Sequence, residues 1–191
     1  MQSKSHTGAG DGTRHITLRI PDYVAAELES DSARIGISVN SMTNKILKRW
    51  VSWDRYMQTL EVVPVPKQMI PVLVPDANQE NVQDWINGIL PIFQEAVMLI
   101  KGKYDLKHCI ETLEDYMRVT GIATDHKVDG QTHTFTVRHG MGTNWSIFIK
   151  AMLGRLFGEF MPNTKVEYEM QTNTISVRIS LDSGWTDLPG K

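Results

Sequence analysis

Between Thr13 and Leu28 the chain reads TRHITLRIPDYVAAEL. Apolar Ile16, Leu18 and Ile20 alternate with polar His15, Thr17 and Arg19, the period of a strand with one dry face and one wet face. Pro21 stops that alternation, and Asp22 suits the start of a helix expected to run to about residue 35, with Val24, Leu28 and Ile35 on one side. Gly36 is its natural stop. ISVNS restarts the chain with Ser38 as the expected cap, and a second helix follows from about residue 39, with Met42, Ile46, Leu47, Trp50, Val51 and Met57 apolar. One strand followed by two helices has no sheet of its own, yet its N–H and C=O groups need partners. The economical solution is a second copy. Two chains pair their strands as an antiparallel ribbon, and four helices bury a core of Ile16, Leu18, Ile20, Val24, Leu28, Ile46 and Trp50. Such a homodimer is obligate, because one copy alone has almost no core.

The wet face of that ribbon carries two copies of His15, Thr17 and Arg19. A two-stranded ribbon fits the major groove of double-stranded DNA, where Arg reads guanine O6 and N7 and Thr contacts several base edges. The segments RHITLRIPDYVAAEL and IGISVNSMTNKIL resemble the ribbon-helix-helix family of MetJ/Arc/CopG-type transcriptional regulators, over about residues 13–52. The resemblance implies that His15, Thr17 and Arg19 read bases. It also implies that Ser38, Val39 and Asn40, opening the second helix, hold a phosphate through backbone amides. Helix polarity alone favours an anion there. Arg14 and Lys45 are the expected additional phosphate contacts.

Charge agrees mildly with that placement. The whole chain has a formal net charge of -2, but residues 1–60 hold eight Lys/Arg against six Asp/Glu, so the amino-terminal part is the basic one. The single cysteine, Cys109, excludes an intrachain disulfide and fits a reducing compartment. MQSKSHTGAGDGT lacks the apolar core of a secretory signal, and the most apolar helical stretch, ILPIFQEAVMLI, is short and interrupted by Pro91, Gln94 and Glu95. No membrane association is expected, and the expected location is cytoplasmic.

The rest of the chain is organised around a Pro-rich segment. EVVPVPKQMIPVLVP places Pro64, Pro66, Pro71 and Pro75 among branched residues, which predicts an extended linker or edge strand. The expected organisation is a tail over 1–12, a DNA-binding domain over 13–59 and a linker over 60–77. A sensor or oligomerisation domain follows over 78–182, then a tail over 183–191. That last domain opens with a helix bearing Trp85, Ile86, Ile89, Leu90, Phe93, Val97 and Ile100, bent near Pro91 and capped by Asp76 or Asn78. QTHTFTVR (131–138) is echoed forty residues later by QTNTISVR (171–178), and the register upstream aligns Cys109 with Ile149 and Leu113 with Leu153. The pattern predicts a duplicated α-β-β unit, with helices at about 105–119 and 144–160 and hairpins turning at Asp129-Gly130 and around 171–173. The fold class expected overall is α+β: a ribbon-helix-helix followed by an antiparallel sheet with helices on one face.

Other signals are weaker. Six histidines raise a metal-responsive repressor as an alternative, but no CxxC, HxH or helical i, i+4 ligand pair occurs, so no metal site and no cofactor are assigned. His133 and His139 share a strand face with Phe135 and Val137, as buried core histidines do. In RHGMGTNWSIF, two glycines precede a helix that Thr143 or Asn144 would cap. No Ser/His/Asp order or phosphate loop appears, and no enzymatic activity is assigned. The expected function is a sequence-specific regulator whose partners are double-stranded DNA and itself. Tetramer formation through the carboxy-terminal domain and an unidentified small-molecule effector complete that picture. An antitoxin-type interaction protein is the alternative from another class.

Overall fold

The computed structural model of the chain describes residues 12–74 and 77–181. The two expected tails lie outside the described residues except for Gly12, as does Asp76. The chain forms two compact units, Met1–Leu47 and Lys48–Lys191, divided within the second helix rather than in the Pro-rich segment.

The first unit contains helix α1 (Asp22–Arg34) and most of helix α2 (Val39–Ser52). Asp22 lies in the first turn of α1, where a carboxylate favours the positive helix end. The other end is closed by paired backbone bonds. Ile37 N–H donates to Ser32 O at 3.0 Å and Gly36 N–H to Ala33 O at 3.2 Å. That closure requires a left-handed residue between them, and Gly36 supplies it at φ 70°. Residues 12–20 differ from the expected strand: within the single chain they form no regular structure and are exposed. A lone strand has no ladder to join, which accounts for the difference.

In the second unit residues 62–66 of the Pro-rich segment form no regular structure and are exposed, but the segment is no edge strand among the described residues, and its later part is folded. It forms a 3-10 turn at Lys67–Met69 that leads into the one-turn helix α3 (Ile70–Leu73). Pro66 and Pro71 stand at the starts of these turns, where the fixed φ suits the backbone and the missing N–H costs nothing. Ile70 packs on the sheet core, Lys67 Nζ donates to Gly121 O at 3.0 Å, and Asn144 Nδ2 donates to Val74 O at 3.2 Å.

Helix α4 (Gln79–Lys101) follows, capped by Asn78, whose side chain accepts from Asn81 N–H at 2.9 Å. Asp105 caps α5 (Leu106–Val119). The remaining order is β1 (Ala123–Asp129), β2 (Thr132–Arg138), α6 (Thr143–Phe160), β3 (Val166–Gln171) and β4 (Thr174–Ser180). The strands make one antiparallel sheet in the order β1-β2-β4-β3. The protein is therefore α+β, with a four-stranded antiparallel sheet.

Alternation assigns the two sheet faces. His133, Phe135 and Val137 pair with Ile179, Val177 and Ile175 on the inner face, which α5 and α6 cover through Leu106, Ile110 and Phe157. The outer face carries Thr134, Thr136, Ser176 and Arg178, with Thr136 Oγ1 and Ser176 Oγ hydrogen-bonded at 3.0 Å. Helix α4 packs on α5 and α6. Between these helices Val97, Cys109 and Leu156 form a fully buried cluster. Burial pushes the Cys109 thiol up to about 12, with Asp105 and Glu159 adding to the effect, so this cysteine is unreactive at neutral pH. Leu156→Ala is expected to destabilise the unit by about 2–5 kcal/mol. At about 2–4 °C per kcal/mol for a domain this size, calorimetry should record a clear fall in Tm.

The element order α-β-β occurs twice, but the sequence echo does not mark equivalent places. Gln131 lies in the first hairpin turn, whereas Gln171 closes β3. Thr132 opens β2, yet Thr174 rather than Thr172 opens β4, so the echo is two residues out of step with the hairpins. Helix α6, with 18 residues, is also longer than α5, with 14. An ungapped correspondence across forty residues therefore does not describe the structure.

Candidate nucleic-acid interface

Among the described residues, the expected reading residues of the amino-terminal unit are exposed. Arg14, His15, Thr17 and Arg19 are exposed, and so are the apolar residues between them, Ile16 at 66%, Leu18 at 57% and Ile20 at 44%. Helix α1 buries only Ser32, and α2 buries nothing. Val24 and Leu28 are half-buried, whereas Ile46 and Trp50 are exposed. Among the described residues, the apolar side chains of the first unit thus form no core of their own. The expected dimer core is not assembled within one chain.

The start of α2 is capped by Ser38 and leaves two backbone amides open. Ser38 Oγ accepts from Ser41 N–H at 3.1 Å and donates to Ser41 Oγ at 2.9 Å. The amides of Val39 and Asn40 have no protein acceptor among the described residues, and both residues are exposed. Val39 can offer only its amide. Lys45 and Lys48 are exposed, while Arg49 Nε is engaged by Asp54 at 3.1 Å. Arg49 is therefore drawn toward the end of its own helix rather than left as a free surface cation.

The histidines of the second unit are arranged as core groups. His133 is 1% exposed, and its Nδ1 lies 2.9 Å from His126 Nε2, with Phe135 stacked on the His126 ring. His139 is 2% exposed. Its Nδ1 accepts from Met141 N–H at 3.0 Å, so Nε2 carries the proton and donates to Ser146 Oγ at 2.8 Å, and Ser146 in turn donates to Gln171 O at 2.9 Å. That direction leaves the imidazole unable to take the serine proton, so this Ser/His contact is a brace and not a nucleophile with its base. It holds the GMG turn, where Gly140 and Gly142 have φ of 70° and 83°. The cap of α6 is Gly142, not Thr143 or Asn144. Its N–H donates instead to the Asn173 side chain at 3.0 Å, across the neighbouring hairpin. Among the described residues, no three His, Cys, Asp or Glu side chains gather in a metal-binding group.

Burial holds the pKa of His126, His133 and His139 below the usual imidazole value, and His133 adds to the effect on His126. The folded state therefore binds protons less readily than the unfolded chain. The resulting stability is fully present above about pH 6.5, the unfolded value, and is lost as pH falls through the depressed native values. Thermal unfolding followed by calorimetry should be level from about pH 8 to 7 and fall steadily below about pH 6.5. A Tm unchanged down to about pH 5 would contradict neutral, buried rings.

Sequence reasoning missed the role of Trp53, which follows α2 directly. It is 7% exposed and packs at 5.7 Å on the Tyr116 ring. The apolar run of α2 passes through it without a break, so no local signal marks the change from exposed to buried. No helix of the described residues is long and apolar enough to cross a membrane. Comparison with protein-family models finds no match to this chain, and a search of curated proteins finds none either.

Proposed function

We propose that the protein is a sequence-specific DNA-binding regulator that works as a homodimer, its two amino-terminal segments pairing as a ribbon in the major groove. One observation carries this reading: an alternating segment whose apolar and polar residues are all exposed, ahead of two helices that bury almost nothing. Exposed apolar residues in strict alternation need a strand partner and a cover, and a twofold copy supplies both. Pairing turns Ile16, Leu18 and Ile20 inward and leaves His15, Thr17 and Arg19 outward in duplicate. The free amides of Val39 and Asn40, with Arg14 and Lys45, then serve the backbone phosphates.

Selection of bound sites from random duplex DNA tests this. The full chain should enrich inverted repeats, because a twofold protein reads a twofold site. Its affinity should fall steeply with salt, as phosphate contacts release counterions. Enrichment of no sequence, or binding insensitive to salt, would remove the reading.

A further inference from the structure

The second unit contains an apolar cavity of about 320 Å3 that none of the preceding roles uses. Its walls come from α4, α5 and α6, from the stretch Trp53–Val62, and from Ile122 and β2 residue Val137. Ile122 and Val137 of the sheet core meet there with Phe148 and Met152, which pack against Val82 and Ile86 of α4, so the cavity is where the core fails to close. Several wall residues, including Thr112, Val137, Phe148 and Met152, are buried, so the space reaches the interior and is not a shallow surface groove. The volume lies at the lower end of small-molecule sites, about 300–1,000 Å3.

The lining states the chemistry of the occupant. Trp53, Phe93, Tyr116, Trp145 and Phe148 supply ring faces, and Met117 and Met152 supply side chains that adapt to irregular shapes. Among the described residues, no Asp, Glu, Lys, Arg or His lines the cavity. A charged ligand would lose its hydration and gain no counter-charge there. Polar capacity is limited. Thr112 Oγ1 already donates to His108 O, whereas the Tyr116 hydroxyl and the indole N–H groups of Trp53 and Trp145 have no acceptor among the described residues.

We propose that this cavity binds a neutral, ring-bearing apolar small molecule, and that its occupancy is felt by α2 through Trp53. The second half rests on the DNA-binding reading. Trp53 N–H donates to Arg49 O at 2.9 Å, continuing the α2 backbone ladder, while its side chain forms part of the cavity wall. A ligand pressing on this ring acts on the residue that fixes the end of the helix whose beginning clamps phosphate. Binding at the cavity and binding to DNA are then linked, and the linkage is reciprocal.

The test uses the full chain with a neutral fluorescent probe, N-phenylnaphthylamine, beside the anionic anilinonaphthalene sulfonate. The neutral probe should bind saturably, one per chain, and quench tryptophan emission. The anionic probe should bind at least about tenfold more weakly, for want of a counter-charge. Ala96→Phe, which fills the cavity from α4, should lower neutral-probe affinity by about tenfold or more while the chain stays folded. If that variant does not fold, Ile89→Trp at the more exposed rim serves the same purpose. Saturating probe should change DNA affinity by about fivefold or more. No neutral-probe binding, or equal binding of both probes, overturns the cavity proposal. A second copy filling the space would appear as no probe binding together with a changed oligomeric state in Ala96→Phe, and overturns it too. Probe binding with unchanged DNA affinity overturns the link through Trp53. Probe binding by a chain that binds no DNA removes the DNA reading and leaves the cavity site standing.

Discussion

Leu18→Asp is expected to turn the chain from a dimer into a monomer. Leu18 is exposed in the single chain, so in a true monomer the substitution would be nearly silent. In a ribbon dimer the same side chain is buried twice, once per copy. Each copy loses about 1.5–3 kcal/mol of apolar burial. Each also brings an unpaired carboxylate into an apolar layer, at several kcal/mol more. The combined loss is roughly 6 kcal/mol or more, about four orders of magnitude in dimer dissociation. Sedimentation velocity of the full chain at micromolar concentration reads this directly. The second unit has its own core and should keep its thermal transition, so lost association can be told from general unfolding. A parent chain that is already monomeric, or a variant that stays dimeric, rules out the exchanged ribbon.

What could be seen in the sequence depended on how local the cause was. Gly36 and Asn78 were legible because one turn and one cap decide them, and each sits where the local pattern puts it. The Asp129-Gly130 hairpin was legible for the same reason, with Gly130 at φ 59°. The cap of α6 was not legible. Gly142 holds the cap position with no side-chain cap bond, and its own amide is tied to Asn173, thirty-one residues away. The Pro-rich segment looked extended because proline is excluded from ladders, but Pro66 and Pro71 stand at turn starts, and Ile70 finds the sheet core. The echo of QTHTFTVR in QTNTISVR reports a shared demand for alternation in two central strands, not a shared position in them. The candidate reading residues were legible as a pattern because alternation is itself local. Trp53 and the cavity were not, because both depend on which helices meet. A core that fails to close leaves no trace in periodicity.

Arg19→Ala combined with Thr17→Ala is the sharpest test of what the ribbon does once formed. Both residues lie on the polar side of the alternation, away from Ile16, Leu18 and Ile20, so dimerisation should be unchanged. A well-formed Arg contact to guanine is worth about 1–3 kcal/mol of discrimination against the wrong base. Twofold symmetry doubles every such loss, so affinity for a selected site should fall by about two orders of magnitude or more. Affinity for unrelated duplex DNA should fall far less, because phosphate contacts carry that binding. Lys45→Ala should behave in the opposite way, weakening selected and unrelated DNA alike and reducing the salt slope by about two, one for each copy. Fluorescence anisotropy with both DNAs across a salt series separates the two patterns. If the double variant binds its selected site as the parent does, the ribbon is not the reader. The exposed alternation would then serve association alone, and sequence preference would have to come from another surface.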